Sequence, residues 1–297
     1  MDTPLISVIV TTYKRPFSVV SRAIDSALSQ THTNFEIIVI DDSPQSEDRD
    51  RLKVELEERY GDSITYLQNE VNMGACASRN RGFALSKGQY VAFLDDDDEW
   101  LPQKNELMLQ CFDSDDVGLV YCRLLPLKNG KPIKRTRQKK LEGSLLPHLL
   151  VSNFIGGCSV PLFRRDVVEQ AGLFDVSFPA SQDIDLYIRV AQLSSVRYLD
   201  VPLVKYFMTK DSITGSQKRQ MAGRMKLLEK YDGLYDQYPD ARHRYAITIV
   251  SGFLAMGQRE VAWDLFKKEY GMSPASLFRH SPYLVKGYLK RLVRWTS

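Results

Sequence analysis

The first 127 residues alternate between two hydrophobic periods, and few folds satisfy that alternation. Residues 5–11 (LISVIVT), 35–40 (FEIIVI), 64–67, 90–94 (YVAFL) and 117–122 are short apolar runs rich in β-branched and aromatic residues. Such runs are what strands buried on both faces look like. Between them lie helical patterns. Behind Pro16, the residues Val19, Val20, Ala23, Ile24, Ala27 and Leu28 recur at helical spacing. Residues 51–59 read as a charged surface helix, 77–85 as a third helix, and 100–112 as a fourth with Pro102 in its first turn. Strand–helix–strand alternation of this kind predicts an α/β domain with a mostly parallel central sheet and helices on both faces. Ligands of such sheets bind beyond the carboxyl ends of the strands. The residues that follow each run are therefore where chemistry is expected.

The rest of the chain changes character. Residues 128–140 hold seven Lys or Arg and no acid, with Asn129-Gly130 as a turn signal. Residues 154–163 carry Gly156-Gly157 and then an apolar run, and residues 183–191 form an amphipathic helical pattern. Residues 196–201 and 204–208 read as two strands. From about residue 216 the pattern is helical, over 217–231, 242–256 and 260–270, with Pro239, Pro274 and Pro282 marking connections.

Composition excludes several classes. With 43% hydrophobic and 26% charged residues the chain is not disordered, and its 297 residues can bury a core without disulfides. No run approaches the roughly 18 apolar residues of a spanning helix, and no basic leader precedes the first apolar run, so no secretory signal is expected. Cys76, Cys111, Cys122 and Cys158 lack metal-ligand spacing and read as reduced thiols of a cytosolic protein. His32, His148, His243 and His280 are too scattered to suggest a histidine metal site. The net charge of +3 conceals a division: residues 1–127 carry 12 basic and 22 acidic side chains, residues 128–297 carry 28 and 15.

The strand ends carry polar groups of a particular kind. The first runs into Thr11-Thr12-Tyr13, the second into Asp41-Asp42-Ser43 and the fourth into Asp95-Asp96-Asp97-Asp98. Parallel strands bring these ends together in an acidic mouth. Gathered carboxylates repel unless a cation compensates them, and hard divalent ions prefer such oxygens while bridging to phosphates. The other reading of the aspartates is a solvated turn capping the helix that follows. Residues 72–75 (NMGA), followed by Arg79-Asn80-Arg81-Gly82, offer a tight turn and a helix start that could hold an anion. An acidic mouth also opposes a nucleic-acid backbone, so no nucleic-acid partner is expected.

The ordered set SVIVTTYKRP, EIIVIDDS, NMGACASRNRG, YVAFLDDDDEWLPQK and SQDIDLYIRV resembles the family 2 glycosyltransferases of GT-A fold, over roughly residues 5–210. The resemblance implies a GT-A (Rossmann-like) domain over residues 1–212, with a nucleotide-binding half (1–127) and an acceptor-binding half (128–212), followed by a helical C-terminal region (213–297). It implies sugar transfer from a nucleotide-diphospho-sugar with inversion at the anomeric carbon. Thr11 and Tyr13 would line the base pocket, Tyr13 stacking on the base. Asp42 would accept the imide N–H of uracil or thymine, with Asp41 structural, and Arg79 would sit near the diphosphate or the base. Asp95 and Asp97 would form the Asp-x-Asp pair, Asp97 on the Mn²⁺ or Mg²⁺ ion and Asp95 on the ion and the ribose or sugar side. Asp96 is carried with the donor-binding set. Asp183 matches the family's catalytic base, although Gln182 stands where Glu is frequent.

A UDP-sugar is the expected donor, with a TDP-sugar as the alternative. The expected acceptor is a saccharide hydroxyl in bacterial surface-glycan assembly, carried on a polyprenyl diphosphate or a lipid core at the cytoplasmic membrane face. The basic segment 128–140 reads as a solvated charged loop or as a clamp for an acceptor phosphate or a membrane surface, and 281–297 as a helix for an anionic membrane surface, for packing on the helical region or for a dimer contact; the oligomeric state stays open. Two other classes compete: a nucleotidyltransferase that makes a sugar nucleotide, and a non-catalytic sugar-nucleotide-binding protein.

Overall fold

A computed structural model describes residues 3–133, 140–208 and 217–271. The described chain divides into two compact units. The first comprises the described parts of Met1–Leu145, Asn153–Val176 and Gln182–Ser212; the second comprises Leu146–Ser152, Ser177–Ser181 and the described part of Ile213–Ser297.

The first unit is built on one sheet. Strands β1 (Ile6–Thr12), β2 (Phe35–Asp41), β3 (Thr65–Gln68) and β4 (Tyr90–Asp95) run parallel, with β1 central between β2 and β4. Their apolar runs are buried on both faces; Val8, Ile9, Val10, Val39 and Ile40 are wholly inaccessible. Helices α1 (Phe17–Leu28), α2 (Glu47–Tyr60) and α3 (Ala75–Leu85) make the crossovers. Helix α1 turns Val20, Ala23, Ile24 and Ala27 inward, and α2 buries only Arg49, Leu52, Leu56 and Tyr60 beneath its charged face.

Beyond β4 the sheet departs from the parallel pattern. Its order is β3-β2-β1-β4-β8-β6-β9-β5, with β6 at Val117–Lys128, β8 at Leu162–Arg164, β9 at Ser195–Met208 and β5 at Glu99–Trp100. The short β8 enters antiparallel between β4 and β6, and β5 pairs antiparallel with β9. The two strands expected over 196–201 and 204–208 are one strand. Pro202, which has no N–H to donate, falls opposite Arg123 where the β6–β9 register shifts, so a bulge absorbs it. The helix expected over 100–112 contracts to α4 (Lys104–Leu109) because Trp100 is drawn into β5, its indole N–H donating to the Ser159 carbonyl at 2.8 Å. At the Asn129-Gly130 turn both residues take positive φ (52° and 73°), closing a hairpin between β6 and β7 (Lys131–Pro132). The remainder of the expected basic loop, residues 134–139, lies outside the described residues. Helices α5 (Leu146–Leu149), in the second unit, and α6 (Arg165–Ala171) and α7 (Gln182–Leu193), in the first, follow along the chain.

The second unit is helical: α5 with α8 (Gln217–Lys230), α9 (Asp232–Tyr235), α10 (Pro239–Ala255) and α11 (Arg259–Tyr270). Buried Tyr235 donates to the Leu150 carbonyl at 2.7 Å, and Arg242 of α10 ties Glu269 of α11 at 2.7 Å. Gly223 lets α8 press on the 177–181 segment, since a Cβ there would stand 2.3 Å from the Ala180 carbonyl oxygen. No helix among the described residues is long and apolar enough to cross a membrane. The basic segment 281–297 lies outside the described residues.

Candidate active site

The register of β1 fixes the site. Thr11 pairs with Ile40 on one side and Asp95 on the other, and Thr12 pairs with Asp41. The ends of the first, second and fourth strands therefore meet, as the parallel pattern requires. Tyr13 follows at the bend, 44% exposed, with the Lys14 ammonium 5.3 Å from its ring centre.

The two aspartates after β2 do different work. Asp41 is fully buried, accepting from the Ser43 backbone N–H at 2.8 Å and the Tyr66 hydroxyl at 2.7 Å. Asp42 accepts three N–H groups: Asn69 Nδ2 at 2.7 Å and Met73 N at 2.8 Å on Oδ1, and Gly74 N at 2.8 Å on Oδ2. It thereby fixes the turn that starts α3, where Gly74 takes φ 84°. A carboxylate has about four acceptor positions, so one position of Oδ2 remains for a further donor.

Asp95, at the end of β4, accepts from Arg79 Nη2 of α3 at 2.6 Å, and its backbone N–H donates to Ser159 Oγ at 3.0 Å. Gly157 lies beside it; a Cβ there would make an ordinary contact, 3.9 Å from Asp95 Oδ2. Arg79 is thus paired with a carboxylate. Asp96 and Asp97 share one guanidinium, Arg15, with Nε 3.2 Å from Asp96 Oδ1 and Nη2 2.9 Å from Asp97 Oδ2. Arg22 holds the Asp97 backbone carbonyl at 2.9 Å while stacking on Phe207. Asp98 is buried, and its Oδ1 has no hydrogen-bond partner.

Asp183 stands in the first turn of α7. Its Oδ1 accepts its own helix's Ile184 N–H at 2.8 Å, and its Oδ2 accepts Asn153 Nδ2 at 2.7 Å. Asn153 is itself locked to Gly156, donating to that carbonyl at 2.9 Å and accepting its N–H at 3.0 Å. Gly156 takes φ 122°, a value suited to glycine.

Burial pushes the Asp183 carboxyl up to about 6, opposed by the Ile184 N–H and Arg79 and reinforced by Asp95. Asp183 thus feels both members of the Arg79–Asp95 ion pair, with burial the dominant influence. Burial and neighbouring carboxylates also raise the Asp-rich turn: Asp96 to about 6, Asp97 upward, and Asp98 well above the usual range. Among the described residues no three His, Cys, Asp or Glu side chains converge into a ready metal cage. The turn nevertheless suits a hard divalent ion completed by outside oxygens. Its donors are carboxylates, its charge is incompletely neutralised, and Asp98 leaves a buried oxygen unpartnered.

Arg15 and Asn153 went unassigned at the level of sequence. Arg15 lies within the SVIVTTYKRP motif, but its partners are 81 and 82 residues away, and only the β1–β4 pairing unites them. Asn153 sits in no periodic pattern.

Residues 7–172 match the family model for glycosyl transferase family 2. An uncharacterised glycosyltransferase of Rickettsia prowazekii is 31% identical over 277 residues, covering 90% of this chain and 81% of its own. The Escherichia coli protein WfgD, a UDP-Glc:alpha-D-GlcNAc-diphosphoundecaprenol beta-1,3-glucosyltransferase, is 26% identical, covering 89% and 98%. In fold the chain is similar to S. aureus TarS 1-349, solved with UDP-GlcNAc (TM-score 0.60, 15% identity, 95% and 89% covered). It is also similar to the mannosyltransferase PcManGT of Pyrobaculum calidifontis, solved with GDP-Man and Mn²⁺ (TM-score 0.60, 16% identity, 97% and 87% covered).

Proposed function

Because the chain belongs to glycosyl transferase family 2, we propose that it moves a sugar from a nucleotide-diphospho-sugar to an acceptor hydroxyl with inversion, Asp183 serving as the base. The observation that carries this reading is Asp183 itself. A carboxyl poised near 6, oriented by Asn153 and coupled to Arg79 and Asp95, is matched to taking a proton near neutrality. The acceptor oxygen bonds to the anomeric carbon as its proton passes to Asp183, and the anomeric carbon–phosphate oxygen bond breaks with its electron pair leaving on the diphosphate. Tyr13 offers an exposed ring on which a base can stack. Thr11 lies beside it along β1, and Asp42 retains an acceptor position for an imide N–H. Asp96 stays in the donor-binding set.

Asp97, with Asp95, would hold Mn²⁺ or Mg²⁺, whose chemistry when bound is Lewis-acid neutralisation of the departing diphosphate. Carboxylate oxygens suit either ion, and the structural relative solved with Mn²⁺ supports a divalent ion. UDP is the favoured nucleotide, in line with the names of WfgD and of the TarS complex. WfgD's lipid-linked acceptor supports a saccharide on a polyprenyl diphosphate as the acceptor class here, in bacterial envelope assembly. Residues 1–212 form the transferase domain in this reading, with 213–297 appended, and the protein works on the cytoplasmic side of the membrane.

The test is a panel of nucleotide sugars with Mn²⁺, scored by nucleotide release and product analysis, using Asp183→Asn beside the unaltered chain. Transfer should collapse in the variant while nucleotide binding persists. Full transfer by Asp183→Asn would remove it as the base. Pyrophosphate release from a nucleoside triphosphate and a sugar phosphate would instead indicate a nucleotidyltransferase.

A further inference from the structure

We propose that Arg15 is a place-holding cation, occupying Asp97 in the absence of the divalent ion and passing to the donor diphosphate when ion and donor bind together. The inference rests on the metal-dependent reading given above. The geometry is specific. One guanidinium spans two consecutive carboxylates, Nε to Asp96 and Nη2 to Asp97 Oδ2 at 2.9 Å. Asp97 is the carboxylate that the proposed ion would share. An ion and a guanidinium on one partly desolvated carboxylate repel each other, so each weakens the other's hold on Asp97.

The surrounding contacts show which part can move. Asp97 is anchored through its backbone carbonyl by Arg22, and Arg22 is itself held against Phe207 at 4.1 Å. The carboxylate can therefore lose Arg15 without the turn losing its position. Of the two guanidiniums paired with carboxylates of Asp95–Asp97, Arg79 is the more enclosed, its side chain 11% exposed against 27% for Arg15. Arg15 also projects from the bend between β1 and α1, where Lys14 takes φ 51°. It can thus swing toward solvent, where a bound donor would present its phosphates. A guanidinium fork matches paired phosphate oxygens better than an ammonium does. The diphosphate would compensate Arg15 for the carboxylates it gives up. The ion alone offers no such compensation, so it should bind weakly without donor and tightly with it.

The experiment titrates Mn²⁺ into the full chain, followed by electron paramagnetic resonance of free Mn²⁺, with and without UDP. Arg15→Ala should bind Mn²⁺ about tenfold more tightly without UDP, the scale of one charge-assisted contact. It should also lose much of the gain in Mn²⁺ affinity that UDP confers on the unaltered chain. Arg15→Lys keeps the charge and serves if the alanine variant fails to fold; lacking the fork, it should fall between the two. Unchanged or weaker Mn²⁺ binding by the variants, in a protein that does bind Mn²⁺, overturns the role of Arg15 alone. Absence of Mn²⁺ binding by every form, even with UDP, overturns the metal-dependent reading and this proposal with it.

Discussion

Asp183 is exposed enough to meet a hydroxyl, yet enclosed enough that its proton is contested near neutrality. Because its carboxyl is raised to about 6, transfer should rise as pH climbs through about 6 and level off above. The sign follows from the role: the base must be ionised before the acceptor arrives. Asp183→Asn should lower kcat by about 10²–10⁴-fold and flatten that limb. Asn153 donates to the ionised form, so Asn153→Leu should move the midpoint upward, by about one unit or less. A role limited to packing would lower activity without moving the midpoint, so the pH profile of kcat decides between the two. Tyr13 gives a separate test by nucleotide calorimetry. Base–aromatic stacking contributes about 1–3 kcal/mol, so Tyr13→Ala should weaken UDP binding by about tenfold or more while Tyr13→Phe changes little.

At the scale of elements, legibility followed how locally each element is determined. Strands β1, β2 and β4 could be read because continuous apolar runs need only burial, and their parallel pairing then placed the acidic mouth. Strand β8 begins in the apolar run 160–163, whereas β5 is two residues long and exists only through its partner, so no local signal marks it. Pro202 looked like a break between strands, yet a bulge in a long parallel pair accommodates it. The acidic groups of the site were legible on the same grounds, whereas its cations and amides were not. Arg15 and Asn153 reach their carboxylates across chain reversals of about 80 and 30 residues, whose geometry no spacing encodes. The α4 region holds a further surprise. Lys104 is wholly buried, its ammonium 4.1 Å from the Trp100 ring and without a hydrogen-bond acceptor, and burial lowers it to about 8. Between about 8 and 10.5 the unfolded chain binds the extra proton, so this residue makes stability rise with pH there. Lys104→Met should remove that slope and stabilise the protein at pH 7 by something on the order of 1–3 kcal/mol, read by urea unfolding at pH 7 and pH 9.5. An equal or lower unfolding midpoint at pH 7 would show that the contact with Trp100 outweighs the cost of burial.

For the whole molecule, the division of charge fits the two partners proposed above, a metal-bound donor and an anionic membrane. The acidic excess of residues 1–127 includes the aspartates at the strand ends, where Arg15 and Arg79 only partly neutralise it. Asp183 lies in the basic half, so the proposed catalysis draws on both. What remains of the positive excess is concentrated. Residues 128–140 carry seven basic side chains and residues 272–297 five, neither with an acid. Within the first segment, Lys140 is already spent on Asp200. The terminal segment is the stronger candidate for an anionic membrane surface, because its basic side chains are interleaved with Tyr283, Leu284, Tyr288, Leu289, Leu292, Val293 and Trp295. At about 1 kcal/mol per basic residue, five would contribute about 5 kcal/mol toward an anionic membrane, reduced by salt. The full chain should therefore sediment with phosphatidylglycerol vesicles and not with phosphatidylcholine vesicles, and binding should fall as salt rises. A chain ending at Gly271 should lose about 100-fold or more of that affinity while still transferring sugar to a soluble acceptor. Equal vesicle binding by the shortened chain would move the membrane contact to the 128–140 segment. Loss of transfer together with binding would mean that the terminal segment serves the catalytic domain itself.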